Sequence, residues 1–435
     1  MSPSPPHPRT VTGVRQRERA RIARRLAAVC AVAALAAVAV FGVSPRWPWH
    51  DFFDLHVYRG AVRWWLDGRP LYQFLLGSTP YGFTYPPFAA VALLPLALVA
   101  QQVAEVAMLA VSGLLVVALT AWLVAPLARR HGWPRWFAAA LAVPVVLALE
   151  PVRETLGYGQ LNVVLLALVL ADLVGLRRGA RWAGAGIGLA TAVKLTPGLF
   201  VVYLLLTRRL RAAAVAGATF LAATAVGFAV DTRGSWTYWT HALWETGRVG
   251  ALASVSNTSL MGVLARATPG ERPSAGLWLV LVAVVLTAAL WRALRAWQAG
   301  DDLVGFTLVG LAACLASPIT WTHHLTWLVP ALAVLVDVAA GTPPSTATPQ
   351  LLRRPRAARA TAGLLALAVL LVFGLSLMWI GVPPPNTPGR DTSGVLHSDL
   401  YAVVLVALVA LLPVRAMTSS ACRPTPRPGA VPDRR

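Results

Sequence analysis

Apolar stretches of close to bilayer-spanning length, divided by short arginine-rich tracts, recur through this chain and limit what it can fold into. About 20 consecutive apolar residues form a helix that crosses a bilayer. With 57% hydrophobic and 13% charged residues in 435, an ordinary soluble domain is excluded. In a soluble protein the net charge of +21 would suggest nucleic acid, but here the arginines lie between the apolar runs. That is the pattern of a topology signal, so no nucleic-acid partner is expected. Lys194 is the sole lysine, which with abundant Ala, Val and Leu suggests a GC-rich, actinobacterial genome. Cys30, Cys314 and Cys422 fit neither a disulfide framework nor a metal site.

Placing the arginine tracts on the cytoplasmic side threads the chain. Residues 1–25 form a basic arm and 26–43 a retained first span rather than a cleaved signal peptide. Residues 44–102 form a first outer segment. In it Val57, Ala61, Trp64 and Trp65 recur at helical spacing, opposite Arg59, Arg63 and Asp67, which predicts an interfacial helix over 57–67. The run 88–100 is short for a span, and keeping Arg129, Arg130 and Arg135 inside places it in the interface. Spans follow at 103–125, 136–149 and 161–175, with Glu150 to Asn162 an outer loop. Residues 183–206 have arginines on both flanks, so they are read as a hairpin of two short helices turning at Lys194-Leu-Thr-Pro-Gly198. Irregular backbone at that depth requires a protein cavity. Further spans are expected at 211–230, 276–297, 303–317, 325–341, 361–381 and 400–416, with a cytoplasmic linker over 342–360 and a disordered tail over 417–435. The sum is an all-α polytopic protein of about twelve membrane segments, 26–416, with nearly every polar cluster on the outer face. No internal repeat of the kind transporters carry is seen.

Five clusters carry chemistry, and each has two readings. Asp51 and Asp54, with His56 between Asp54 and Tyr58, concentrate charge directly after the first span. Either acid suits a general base that deprotonates a hydroxyl, or a cap for the following helix. Lys194 suits a phosphate, or is a lysine snorkelling to the interface. Glu150, Arg153 and Glu154 form a self-paired charge cluster or a polar site, and Gln160 and Asn162 suit sugar hydroxyls. His323 and His324 suit phosphate or sugar contact, or begin a helix at headgroup level; no companion ligands give them metal spacing. Residues 231–257, with Trp236, Tyr238, Trp239, His241, Trp244, Glu245, Arg248 and Asn257, suit stacking on sugars or an aromatic belt.

Asp54-Leu-His-Val-Tyr58, Gly68-Arg-Pro-Leu-Tyr72 and Phe83-Thr-Tyr-Pro-Pro-Phe88 resemble the start of glycosyltransferase family 87. Gly159-Gln-Leu-Asn162, Lys194-Leu-Thr-Pro197 and Ser317-Pro-Ile-Thr-Trp-Thr-His-His324 extend the resemblance over about 50–340. It implies a GT-C fold with interfacial helices in the first outer loop. It also implies an inverting α-1,2-mannosyltransferase of the plasma membrane, active on the extracytoplasmic face. The donor is then polyprenyl-phosphate mannose and the acceptor a cell-envelope glycolipid of the phosphatidylinositol mannoside or lipomannan type. By motif position Asp54 is the base and Asp51 supports it. Lys194, His323 and His324 contact donor phosphate and acceptor, and His56, Tyr58, Arg59 and Tyr85 join the substrate site. No cofactor or metal is expected, and no Gly-rich phosphate loop is present. A transferase of another sugar such as arabinose, a lipid or sugar transporter, and a non-catalytic scaffold are the rival readings.

Overall fold

The computed structural model describes residues 9–43, 51–268, 272–380 and 396–416. The 417–435 tail, with Cys422, lies outside them. Among the described residues the regular structure is helical, apart from two isolated β-bridges. In chain order the helices are α1 (Arg9–Ala37), α2 (Phe53–Leu66), α3 (Pro87–Leu98), α4 (Gln101–Arg130), α5 (Arg135–Ala148) and α6 (Glu150–Gly157). Then come α7 (Asn162–Arg177), α8 (Ala185–Val193), α9 (Leu199–Leu206), α10 (Leu210–Val230), α11 (Thr232–Thr237) and α12 (Leu260–Ala267). The last are α13 (Ala275–Gln298), α14 (Asp302–Ala316), α15 (Leu328–Ala339), α16 (Pro355–Gly374) and α17 (Leu400–Leu411).

Among the described residues, five helical stretches are long and apolar enough to cross a bilayer: α4, α10, α13, α16 and the 322–339 stretch that ends in α15. The pair α5–α6, bent by 74°, would make a sixth. Of the other expected crossings, the first falls in the 29-residue α1 and the rest are shorter. The two hairpin arms have 9 and 8 residues, α14 has 15 and α17 has 12. Central placement explains α14. Leu303 to Ala312 are buried without a break, as expected of a helix apolar on all sides.

The hairpin is held where the lysine must point by two close-packed devices. A Cβ on Gly186 would lie 2.2 Å from the Leu168 carbonyl oxygen, so only glycine lets α8 sit directly on α7. Asp172, fully buried on α7, accepts from the Ile187 amide at 2.6 Å and so satisfies a free donor in the first turn of α8. At the other end of the hairpin region, Phe200 stacks on Trp327 with centroids 5.1 Å apart, tying α9 to the 322–327 turn.

Two sequence expectations change. The interfacial helix begins at Phe53 rather than 57, and the loop expected over 150–162 is largely the helix α6. Arg59, expected on the polar side of α2, is buried. Its guanidinium donates to Leu96 O and, at 2.9 Å, to Val99 O, while Arg63 Nε donates to Ala97 O at 2.8 Å. These arginines satisfy the carbonyls at the C-terminal end of α3, a helix too short to span.

Polar chemistry is also less one-sided than the arginine pattern suggested. Arg415 makes a charge-assisted pair with the fully buried Asp301, Nη2 to Oδ1 at 2.7 Å and Nε to Oδ2 at 2.9 Å, and Nη1 reaches Asp337 Oδ2 at 3.1 Å. Arg130 completes the network on Asp337. It sits at the Asp301 end of α14, whereas the turn bearing His323 and His324 follows the opposite end. The 342–360 linker is folded onto it: Ser345 N donates to Val414 O at 2.7 Å and Ala416 N to Pro343 O at 2.9 Å.

Candidate active site

The geometry starts with how α2 begins. Asp51 and Phe52 both adopt left-handed backbone, with φ of 53° and 51°. That turn lets the first amides of α2 bond to another element: Phe52 N donates to Gly157 O at 3.0 Å and Leu55 N to Tyr158 O at 3.1 Å. Gly159 is needed there, with φ of +67° and with Leu55 Cβ 2.8 Å from where its own Cβ would stand. The helix start is therefore docked on the α6–α7 turn, and neither acid is its cap. The cap position is Phe52 and no side chain bonds to the first amides. Asp54, the second helical residue, faces Gln160 instead, whose Nε2 donates to Asp54 Oδ2 at 2.8 Å. Burial pushes the Asp54 carboxyl up to about 6, against the opposing pull of the Gln160 bond and the Lys194 charge.

Asp54 lines a cavity of about 590 Å³ together with Tyr58, Tyr85, Glu154, Gln160, Lys194, His323 and His324. Tyr238, Glu245 and Arg248 line it too, so eleven of the residues singled out from the sequence meet in one space. The Tyr58 and Tyr85 hydroxyls are 2.9 Å apart, and Tyr85 Oη donates to Gln160 Oε1 at 3.3 Å. Burial raises both phenols, so they stay protonated at neutral pH. His323 Nε2 lies 3.3 Å from Gln160 Nε2, and its ring packs edge-on against Tyr158 at 5.2 Å.

Lys194 stands where this cavity meets a second, apolar niche of about 50 Å³ lined by Leu165, Leu166, Phe200, Cys314 and Trp327, among others. Its Nζ donates to Asn162 Oδ1 at 3.2 Å and approaches His324 Nε2 at 2.8 Å. The Trp321 amide donates to His324 Nδ1 at 3.2 Å, so this ring carries its hydrogen on Nε2. Two nitrogens with donor hydrogens therefore converge, a pairing that an anionic oxygen between them would complete.

Other expected site residues are not among those lining the cavity. Asp51 is exposed at the helix-entry turn. His56 Nε2 lies 2.8 Å from Glu105 Oε1 and ties α2 to α4. Arg59 holds α3, as described above. Glu150 accepts from Trp379 Nε1 at 2.5 Å and from the Tyr401 hydroxyl, and Arg153 donates to Ala148 O at 2.6 Å and Gly374 O at 3.2 Å. Those two join α6 to α16 and α17; of the three charges in that cluster only Glu154 reaches the cavity.

Asn257 has a role that the sequence did not assign. Its Oδ1 accepts from Thr320 N at 3.0 Å, and its Nδ2 donates to Leu252 O at 3.0 Å and Pro318 O at 3.2 Å. One fully buried amide thereby locks the 251–259 segment to the 317–320 loop, and Ser254, Ser256, Ser317 and Pro318 of those segments line the cavity. The only signal for it was an uncharged polar run, Ser256 to Ser259, in an apolar chain. Tyr158 was likewise overlooked inside the Gly-Tyr-Gly-Gln turn.

Comparison with known proteins follows the same residues. A family model described as glycosyltransferase family 87 matches residues 83–318. The "Polyprenol-phosphate-mannose-dependent alpha-(1-2)-phosphatidylinositol mannoside mannosyltransferase" of Mycobacterium tuberculosis is 38% identical over 300 residues, covering 65% of this chain and 69% of its own. The protein of that name from Mycolicibacterium smegmatis is 36% identical over 309 residues, covering 66% and 70%. A solved structure, ArnT from Cupriavidus metallidurans bound to undecaprenyl phosphate, covers 90% of this chain and 77% of its own at 18% identity and a TM-score of 0.33, a likeness too loose to argue from. With more than half of its length matched by the family model and relatives above 35% identity, the chain belongs to glycosyltransferase family 87.

Proposed function

We propose that this protein transfers mannose from polyprenyl-phosphate mannose to the 2-hydroxyl of a mannose on a phosphatidylinositol mannoside or lipomannan-type glycolipid, with inversion and with Asp54 as general base. The observation that carries the reading is one cavity holding a half-buried carboxylate and, in the same wall, Lys194 with His324. Family membership and the names of the relatives support the donor and acceptor classes.

The acceptor O2–H proton passes to Asp54 as O2 attacks the anomeric carbon. The new O2–C1 bond forms while the bond from C1 to the phosphate oxygen breaks, and its electron pair leaves with polyprenyl phosphate. Lys194 Nζ and His324 Nε2–H meet the charge growing on that oxygen. A β-linked donor gives an α-linked product. The apolar niche beside Lys194 keeps one side of the phosphate dry, which strengthens both contacts.

The topology that goes with this reading is a GT-C bundle of twelve membrane segments in the plasma membrane, with α2 and α3 in the outer interface. Two contacts favour it. The C-terminal end of α3 is held by Arg59 and Arg63 of α2, and its start lies by Gly227 near the end of α10 that leads into residues 231–257. Both ends of α3 are thus tied to the cavity side. The arginines at 129–130, 177–178 and 208–211 lie at helix ends remote from the cavity and would be cytoplasmic.

The test is mannose transfer by purified protein from synthetic polyprenyl-phosphate mannose to a phosphatidylinositol mannoside, wild type against Asp54→Asn. Transfer by wild type and none by a folded Asp54→Asn variant is expected. Undiminished transfer by the variant would remove Asp54 as base, and transfer of arabinose in place of mannose would remove the donor.

A further inference from the structure

Gln160 is buried, with only 3% of its surface exposed, and its hydrogen-bonding capacity is spent within the protein. The directions of those bonds follow from chemistry alone. Gln160 Oε1 can only accept, so the Tyr85 hydroxyl hydrogen is committed to it at 3.3 Å. The Tyr58–Tyr85 contact at 2.9 Å must then have Tyr58 as donor. Gln160 Nε2 can only donate, and its two hydrogens have two acceptors: Asp54 Oδ2 at 2.8 Å and His323 Nε2 at 3.3 Å. Reversing the amide would set Oε1 against the Asp54 carboxylate, so its orientation is fixed. His323 consequently presents an unprotonated Nε2 to the amide and carries its hydrogen on Nδ1.

We infer that Gln160, oriented by the Tyr58–Tyr85 hydroxyl pair, is the positioning residue that holds Asp54 in its proton-accepting form and aims its other oxygen into the cavity, rather than a contact to the sugar. This rests on the reading of Asp54 as base. The donor chain runs one way, from Tyr58 through Tyr85 and Gln160 to the carboxylate, and ends on Oδ2. Only Oδ1 is left for the acceptor hydroxyl. An amide hydrogen bond stabilises the ionised carboxylate over the acid, which counters the burial that drives the carboxyl upward. The charged or titratable groups of the cavity that holds Asp54 are Lys194 from the hairpin, His323 and His324 from the turn before α15, Glu154 and Tyr158 from α6 and the turn after it, Tyr81 and Tyr85 from the loop before α3, Tyr238, Glu245 and Arg248 from the segment after α11, and Tyr58 on its own helix. Of these Lys194 acts in the same direction as Gln160, so the amide contribution is separable by mutation.

The experiment is the pH dependence of kcat, with acceptor KM measured in parallel, for wild type, Gln160→Leu, Tyr85→Phe and Asp54→Asn in detergent-purified full-length protein. Synthetic polyprenyl-phosphate mannose and a phosphatidylinositol mannoside serve as substrates. For Gln160→Leu the acid limb should move up by about one pH unit, since a hydrogen bond to a charged group stabilises it on that scale. kcat should then fall on the order of 10-fold at pH 5 and about 2-fold at pH 7, and acceptor KM should change less than about 2-fold. Tyr85→Phe should move the limb the same way by less, because the amide remains but loses its lock; it reads the proposal even where Gln160→Leu does not fold. An unmoved acid limb in Tyr85→Phe and in any folded Gln160→Leu protein, or a rise in acceptor KM without loss of kcat, would overturn the proposal and return Gln160 to sugar binding. Wild-type kcat in Asp54→Asn would instead remove the base itself, a different result from an unmoved limb with an inactive Asp54→Asn.

Discussion

Replacing Asp54 by Asn should abolish transfer and at the same time stabilise the protein at neutral pH. The carboxyl is raised from its ordinary 3.8 to about 6 by burial. At about 1.4 kcal/mol per pH unit, the native state carries a cost of about 3 kcal/mol once Asp54 is ionised. The sign follows from the direction of the shift. With a folded-state pKa above the unfolded one, the stabilising contribution is fully present below pH 3.8 and is lost as pH rises through about 6. At pH 7.5 it is gone, and the protein bears the charged carboxylate that the proposed reaction needs. An amide of the same shape keeps an oxygen for Gln160 and has no charge to desolvate. The melting temperature of Asp54→Asn in detergent, followed by intrinsic tryptophan fluorescence, should therefore exceed wild type by a few degrees at pH 7.5. The gain should fall to about half by pH 5 and approach zero only below pH 3.8. Wild-type kcat should fall about tenfold per pH unit below about 6, as expected of an essential base. A variant that melts at or below wild type at pH 7.5, or a gain that does not depend on pH, would refute the assignment of a strained, buried base.

Three other outcomes follow from the packing. Lys194→Met should cut kcat by about 10²–10³, the loss typical of removing a preorganised contact to a developing negative charge, while Lys194→Arg should retain part of the rate; steady-state kinetics with varied donor decide this. Gly186→Ala should cost about 1–3 kcal/mol, because the new methyl would meet the Leu168 carbonyl at 2.2 Å and push α8 off α7; a thermal melt and the donor KM should both report it. Arg415→Ala should destabilise by about 3–5 kcal/mol, since Asp301 and Asp337 would lose their common partner inside the protein; a melt unchanged within error would show that the network is not needed.

The first outer loop shows how far local reasoning reaches. Helical spacing of Val57, Ala61 and the tryptophans gave an amphipathic helix, and the motif around Asp54 gave the candidate base. Which face Arg59 belonged to was misread, because a guanidinium with free helix-end carbonyls to bond is at home in a buried position, and those carbonyls belong to another helix. The same applies to His56, claimed by Glu105 from α4, and to Glu150, claimed by Trp379 and Tyr401 from the far C-terminal part of the chain. Each residue had the chemistry of a ligand contact, and its partner was too distant in sequence to be counted.

The sequence by itself determined the solvent and the material: apolar runs that only a membrane accommodates, and a small set of polar residues too costly to keep there without a task. Those properties are local, since hydrophobic transfer and charge placement act residue by residue along a segment. The tertiary structure alone decided which polar residues share a site. Asp54 and Gln160 are 106 positions apart, and Gln160 and His323 are 163. They meet because a left-handed turn at Asp51 and Phe52, a glycine at 159 and the close seat of α8 on α7 bring four separate segments to one cavity. Hydrogen-bond direction and the burial that raises the base depend on that convergence, and no single segment contains it.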